Sequence, residues 1–230
     1  MIKLVHSSIS ENGDSGWNGK AKAGDSTGKE VCRRDWYVKP WLAVIRHPNA
    51  DVAARAARIA CRLADSNLVG YDQSERNTLY KALKTYDFDV DKYILSKSRT
   101  ECDCSSFVYA VFACLMPSIR YDGNAPATSE MIKIFTQWGF TVYTDSKFAN
   151  DPEKLRPGDI VVKPGSHTAI VYDDETPTPG DTLVTYSSDI DKALTALAID
   201  VICGHWGNGD DRKNNIYRAV QKKVNELLRG

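Results

Sequence analysis

Apolar positions recur at helical spacing from Asp51 to Leu68. Val52, Ala56, Ile59 and Leu63 share one stripe, which predicts an amphipathic helix. Ser74 to Leu83 reads as a second, shorter helix. From Cys104 the pattern widens: Phe107, Val111 and Cys114 make one face, and Val108, Phe112 and Leu115 lie beside it. A helix apolar nearly all round is predicted to be buried, and Pro117 closes it. The period then shortens to two. Gly139 to Tyr143 alternates, Ile160 to Val162 follows the turn Arg156-Pro157-Gly158-Asp159, and Thr168 to Tyr172 follows Gly165-Ser166-His167. β-Branched runs bounded by Pro and Gly predict strands. Residues 1–40, rich in Gly, Ser and charge around Gly16 to Glu30, read as loop.

Asp173 to Asp181 is polar and carries Pro177 and Pro179, a composition that fits a long turn or an inter-domain linker. Beyond it, Ser188 to Asp191 resembles a capping box with Asp in the Glu position. Ile190, Leu194, Leu197 and Val201 mark an amphipathic helix, Gly204 to Gly209 breaks it, and Val220, Val224 and Leu227 mark a final helix. The pattern predicts an α+β domain over residues 1–174, a Pro-rich linker over 175–187 and a small helical unit over 188–230.

Composition narrows the function classes. Thirty Lys and Arg balance thirty Asp and Glu across 230 residues, so no basic excess marks a nucleic-acid binder. Hydrophobic content of 42% suffices for a core without disulfides or metals. No apolar run reaches membrane-span length, and the N-terminus lacks the apolar core and cleavage site of a signal peptide. The expectation is a soluble protein made in the cytoplasm, with neither nucleic acid nor membrane as partner. The six cysteines are scattered, which favours free thiols over a disulfide framework. The lone C-x-C of Cys102 and Cys104 has no second pair to complete a zinc site.

The sharpest local signal is Asp103-Cys104-Ser105-Ser106 at the start of the apolar helix. A cysteine there meets the positive end of the helix dipole and unpaired backbone N–H groups. Both favour thiolate over thiol and so prepare a nucleophile, and the same N–H groups offer an oxyanion site. A buried structural cysteine is the plainer use of the same residue. A thiolate nucleophile needs a histidine partner, and the chain has four: His6, His47, His167 and His205. His167 opens an apolar strand, where its ring projects at a sheet end.

Asp103-Cys104-Ser105-Ser106-Phe107, Leu155 to Val161, and Ser166 to Val171 together resemble the NlpC-type cysteine peptidases. These are papain-like hydrolases of bacterial cell-wall peptides, related to the CHAP amidases. The resemblance covers roughly residues 70–172 and implies Cys104 as nucleophile and His167 as general base. In that family a third polar residue follows the base on the next strand. Here Thr182 to Tyr186 supplies no His, Asn or Gln, whereas Lys3 to Ser8 resembles the missing strand. The expectation is a circularly permuted core in which His6 orients His167. A solvated terminal histidine is the plainer reading, and Asp173, Asp174 and Asp181 are the other candidate orienters. Tyr71 matches a tyrosine that lines the pocket in such enzymes, or simply packs.

Residues 188–230 resemble the Cpl-type cell-wall-binding repeat of phage lysins, a three-helix bundle implied to recognise the muropeptide of peptidoglycan. The segment between Arg212 and Ala219 is shorter than usual. Carried over by position, Trp206, Asp210 and Arg212 are its binding candidates. Trp stacks on a sugar face and Arg pairs with a carboxylate, although Trp206 serves equally as bundle core.

Two other signals fall away. Gly24 to Glu30 lacks the first Gly and the Ser/Thr of a phosphate loop. Asp87 to Asp91 has EF-hand-like alternation without its Gly or bidentate Glu. No cofactor and no metal ligand is therefore expected.

The resemblances imply a phage endolysin, released from the host cytoplasm by a holin, that cleaves a stem-peptide amide. A D-glutamyl endopeptide bond is expected, with the N-acetylmuramoyl-L-alanine amide as alternative. A catalytically inactive wall-binding protein and a protein-directed papain-like enzyme or transglutaminase remain the other classes.

Overall fold

The computed structural model describes residues 1–16 and 20–175, together with residues 210, 213 and 218. The chain divides into two units, Met1–Pro179 and Gly180–Gly230. The helices expected around Ser188–Val201 and Val220–Leu227, and the candidates Trp206, Arg212 and Asp181, lie outside the described residues. Asp210 is exposed and takes Lys213 Nζ at 3.4 Å.

The first unit is mixed α and β. Six strands form one antiparallel sheet: β1 (Ile2–Ser7), β2 (Val31–Asp35), β3 (Ala43–Arg46), β6 (Thr141–Tyr143), β7 (Ile160–Lys163) and β8 (His167–Asp173), in the order β2-β1-β8-β7-β3-β6. Two short strands, β4 (Val69–Tyr71) and β5 (Thr100–Cys102), pair in parallel beside it as a separate sheet. The helices are α1 (Ala50–Asp65), α2 (Thr78–Thr85), α3 (Val90–Ser96), α4 (Cys104–Ala113), α5 (Met131–Gln137) and α6 (Ser146–Ala149).

Strand alternation sorts the sheet into two faces. Val5, Ile45, Ile160, Val162, Ile170 and Tyr172 face the larger core with α1, α2 and α4. Leu4, Val44, Val161, Ala169 and Val171 face a smaller cluster closed by Trp41, Ala149 and Leu155. The two-residue period places His6 and His167 on the smaller face, as neighbours of Leu4 and Ala169. α4 runs through the large core, and all ten of its residues are buried, as its all-round apolar pattern predicts.

Residues 1–40 do not form one loop. Ile2–Ser7 and Val31–Asp35 are paired strands, and β1 also pairs antiparallel with β8, Val5 standing opposite Ile170. Lys3 and the charged β2 residues mask the alternation in the sequence: this end of the sheet keeps polar positions such as Arg34 and Asp35 exposed. The polar segment between these strands is held by Asp25. Its carboxylate accepts the amides of Thr27, Gly28, Glu30 and Val31, at 2.7–3.2 Å.

The turn at Arg156–Asp159 fixes the spacing between sheet and α1. Gly158 has φ +87°, and a Cβ there would stand 2.0 Å from the Ala53 carbonyl oxygen. Five cysteines, Cys32, Cys61, Cys102, Cys104 and Cys114, are free thiols, and Cys203 lies outside the described residues. Among the described residues no helix is long and apolar enough to cross a membrane.

Candidate active site

Cys104 is the first residue of α4, and the start of that helix is firmly determined. Asp103 is its N-cap: the carboxylate accepts the Ser106 amide at 2.7 Å, and Ser106 Oγ accepts the Asp103 amide at 2.8 Å. Such a reciprocal cap contributes about 1 kcal/mol. Behind it Arg76 reaches Asp103 through Nε at 2.6 Å and Nη2 at 3.2 Å, and Nη2 also reaches Ser105 Oγ at 2.7 Å. The pair is buried, so the guanidinium supplies the counter-charge that makes the capping carboxylate tolerable there.

The backbone N–H groups of Ser105 and Thr168 lie close enough to the Cys104 sulfur to favour its thiolate. Thr168 follows His167 in β8, so the helix start and the strand start meet at this thiol. The sequence predicts a lowered thiol pKa; the structure reverses that. Burial, then the Asp103 charge, pushes the Cys104 thiol up to about 12, outweighing the two amides and Arg76. At rest Cys104 is a neutral thiol, because removal from water costs a thiolate more than the helix end returns.

His167 is as buried as its partner. Its Nε2 lies 3.2 Å from His6 Nδ1, and Trp41 stacks along its ring with centroids 6.0 Å apart. Burial pushes His167 down to about 3, helped by the charge of His6, and pushes His6 down to about 4. Both rings are neutral at neutral pH. With Nε2 turned to His6, the other ring nitrogen of His167 remains to serve a thiol.

Two residues that carry no motif of their own complete this wall. The Tyr37 hydroxyl lies 3.1 Å from the same His6 Nδ1, and Trp41 Nε1 donates to the Tyr37 carbonyl at 3.0 Å. Trp41 is fully buried. Their only trace in the sequence is the aromatic density of Trp36-Tyr37-Val38-Lys39-Pro40-Trp41 inside a polar region. Tyr37 and Tyr71 are both raised, chiefly by burial. The Tyr71 hydroxyl donates to the Ser15 carbonyl at 3.0 Å and accepts from Gln73 Nε2 at 2.9 Å.

The other candidate orienters stand elsewhere. Asp173 ends β8 and Asp174 follows it, about 20 Å from His167 at the usual strand rise. Asp174 pairs there with Lys3 and with the N-terminal ammonium. The EF-hand-like stretch is also committed to the fold: Asp89 caps α3, and Asp91 pairs with Arg62.

Comparison with curated proteins gives no match, and comparison with solved structures gives none. Residues 195–228 match the CW_7 repeat, a cell-wall-binding unit. Residues 4–178, which carry the whole Cys104–His167–His6 constellation, match the endolysin-like domain. The chain belongs to the endolysin-like domain family and, with its cell-wall-binding repeat, is a peptidoglycan-acting endolysin.

Proposed function

We propose that the first unit is a cysteine hydrolase of the papain-like, NlpC and CHAP type, cleaving a stem-peptide amide of peptidoglycan. One observation carries this reading: His6 Nδ1 stands 3.2 Å from His167 Nε2, and the next residue of that strand, Thr168, favours the Cys104 thiolate through its amide. The proposed base therefore adjoins the proposed orienter, and its chain neighbour Thr168 adjoins the proposed nucleophile. β1 pairing with β8 supports a permuted arrangement, in which the first strand takes the place of the one that would follow the base.

The chemistry starts from neutral partners. The Cys104 thiol gives its proton to the free ring nitrogen of His167 as its sulfur bonds the amide carbon. The imidazolium so formed holds its Nε2 proton against His6 Nδ1. Backbone N–H groups at the start of α4 stabilise the carbonyl oxygen as it gains charge. The C–N bond then breaks, the amine leaves with the proton from His167, and water releases the acyl group by the same route. Tyr71 and Tyr37 are the proposed walls for the peptide. In the C-terminal repeat, Trp206, Asp210 and Arg212 are the proposed wall contacts, keeping the hydrolase near its substrate by raising local concentration. Release from a host cytoplasm by a holin completes the reading.

The test is digestion of purified peptidoglycan by wild type and Cys104→Ala, with mass spectrometry of the soluble fragments. Fragments produced by the wild type alone are expected, with new termini at D-glutamate. Termini at L-alanine would instead assign the muramoyl amide. An inert wild type on several wall chemotypes would overturn the hydrolase and leave a wall-binding protein.

A further inference from the structure

Arg34 stands on the same face of the sheet as the candidate active site. Strand alternation turns Cys32 and Arg34 to the side of His6, and Val31, Arg33 and Asp35 to the other. His6 is opposite Cys32 and Leu4 opposite Arg34, so Arg34 is a diagonal neighbour of His6 across the β1–β2 ladder. Such neighbours stand about 7–8 Å apart, within reach of a long side chain. The Arg34 guanidinium carbon lies 5.7 Å from the centroid of the Tyr37 ring, whose hydroxyl lies 3.1 Å from His6 Nδ1. Contacts thus link Arg34 to Tyr37, Tyr37 to His6, and His6 to His167.

Arg34 is exposed and forms no ion pair among the described residues. With Trp36 and Tyr37 it lines part of an open cleft of about 500 Å³. The other cations of that cleft are committed: Lys3 pairs with Asp174, and Arg33 with Asp65 at 2.9 Å. Its one acid, Asp35, belongs to the opposite face of β2. A second cation, the half-buried Lys39, stands in the chain between Tyr37 and Trp41. After burial, and for His167 the charge of His6, the charges of Arg34 and Lys39 lower both rings further, and no carboxylate of the described residues is among the charges acting on them. Cations beside a histidine base oppose the imidazolium it must become. They burden a hydrolase of this kind unless an anion cancels them during the reaction, and the described part of the site supplies none.

We propose that Arg34 receives a free carboxylate of the stem peptide and so selects walls whose peptides keep that carboxylate unmodified. A guanidinium presents a planar fork that matches a carboxylate with two parallel hydrogen bonds, and Tyr37 holds one face of that fork. Stem peptides carry carboxylates near either candidate bond: a D-glutamate linked through its side chain keeps its α-carboxylate free. Seated on Arg34, that group offsets the cation that otherwise opposes protonation of His167, so the substrate brings the missing negative charge with it. Lys39 adds to the attraction without a contact of its own. The inference rests on the hydrolase reading and adds to it the charge of the substrate and the residue that reads it.

The test follows fragment release by the full chain from one preparation of peptidoglycan, untreated or with its carboxyls converted to primary amides by carbodiimide and ammonium chloride. Wild type is expected to show a kcat/KM about tenfold higher on the untreated wall, the worth of a hydrogen bond to a charged group. Arg34→Gln is expected to be slower than wild type on the untreated wall and at least as fast on the amidated one, so its preference falls toward one. A loosened fold would instead slow both alike, and any effect of amidation on the C-terminal repeat is common to both proteins. Lys133→Gln makes the same charge change on the exposed side of α5 and is expected to keep the wild-type preference. An equal preference in wild type and Arg34→Gln would overturn the assignment while leaving the hydrolase standing. So would a preference lost equally in Lys133→Gln, which would trace it to overall charge. A wild type that releases nothing from either wall would overturn the hydrolase reading and this inference with it.

Discussion

His6 Nδ1 stands 3.2 Å from His167 Nε2, joining the first strand of the chain to the last strand of the sheet. The contact is diagonal across the β1–β8 ladder, so its geometry follows from backbone pairing rather than from a loop. An orienting partner on a paired strand holds an imidazole more firmly than a terminal side chain in water would. His6→Ala is expected to lower kcat/KM on peptidoglycan by about 10²-fold, in the range of a positioned acid–base group. Far-UV circular dichroism should be unchanged. Full turnover in the folded variant would sink the assigned role of His6.

The same pair makes stability depend on pH. Burial holds His6 at about 4 and His167 at about 3, against 6.5 for a free histidine. As pH falls below that value the unfolded chain takes up protons that the native rings refuse. The stabilisation is fully present above about pH 6.5 and is lost toward pH 4, with a slope approaching about 2.7 kcal/mol per pH unit for two histidines. Acidic groups contribute to the same curve, so the comparison is with His6→Gln/His167→Gln, which shares them. The difference in unfolding free energy between the two proteins, from urea titrations, should shrink on acidification. A difference that stays flat from pH 7 to 4 would contradict buried neutral rings.

Arg76 and Asp103 make a second testable dependence at the start of α4. Arg76→Met leaves the Asp103 carboxylate buried without its counter-charge, and breaking a buried pair in this way costs about 3–5 kcal/mol. Arg76→Met/Asp103→Asn removes both charges while keeping a capping side chain, and should recover most of that loss. Equilibrium denaturation of the two variants measures the recovery. Equal destabilisation would show that Arg76 acts through its carbonyl contacts around Ala125 instead.

Gly158→Ala should be among the most destabilising single methyl additions in the protein. The new Cβ meets the Ala53 carbonyl at 2.0 Å, and the positive φ is strained for any L side chain. Backbone on both sides leaves no flexible group to yield, so a melting temperature within a degree or two of wild type would mean that α1 slides along the sheet. Gly165 offers the control: it also has positive φ, yet a Cβ there meets nothing within 4 Å.

Legibility in the sequence tracks how much a segment depends on its own pattern. α1 and α4 carry long periodic stripes, and β7 and β8 are apolar runs between turn residues, so all four are evident from the order of residues alone. β4 and β5 are three residues each, and β5 contains the buried Glu101, so neither shows alternation. α5 begins without a capping side chain, which removes the usual start signal. Cys104 and His167 stand out as candidates because the proposed chemistry restricts the residue types at a helix start and a strand start. The raised Cys104 pKa is not, since the helix end is written locally whereas burial depends on everything packed around it. Tyr37 and Trp41 escape for the same reason: only the folded sheet brings β1, β8 and the segment after β2 together.

Tyr37 supplies the last prediction. His6 Nδ1 has two neighbours, the Tyr37 hydroxyl at 3.1 Å and His167 Nε2 at 3.2 Å. If His167 is to accept the thiol proton on its other nitrogen, its own hydrogen sits on Nε2 and points at His6. His6 Nδ1 must then be the acceptor, with the His6 hydrogen on Nε2, an atom that is buried and has no partner among the described residues. An imidazole nitrogen has one lone pair, so the Tyr37 O–H and the His167 N–H compete for it. Tyr37→Phe ends the competition and gives the whole lone pair to His167. The imidazolium form gains more than the neutral one, because a charged donor makes the stronger hydrogen bond. The acidic limb of the kcat/KM profile should therefore move to higher pH, by a few tenths to about one unit, with the plateau rate retained. Movement to lower pH would place the hydrogen of His6 on Nδ1 and make His167 the acceptor, which removes His167 as the base for Cys104 in this tautomer.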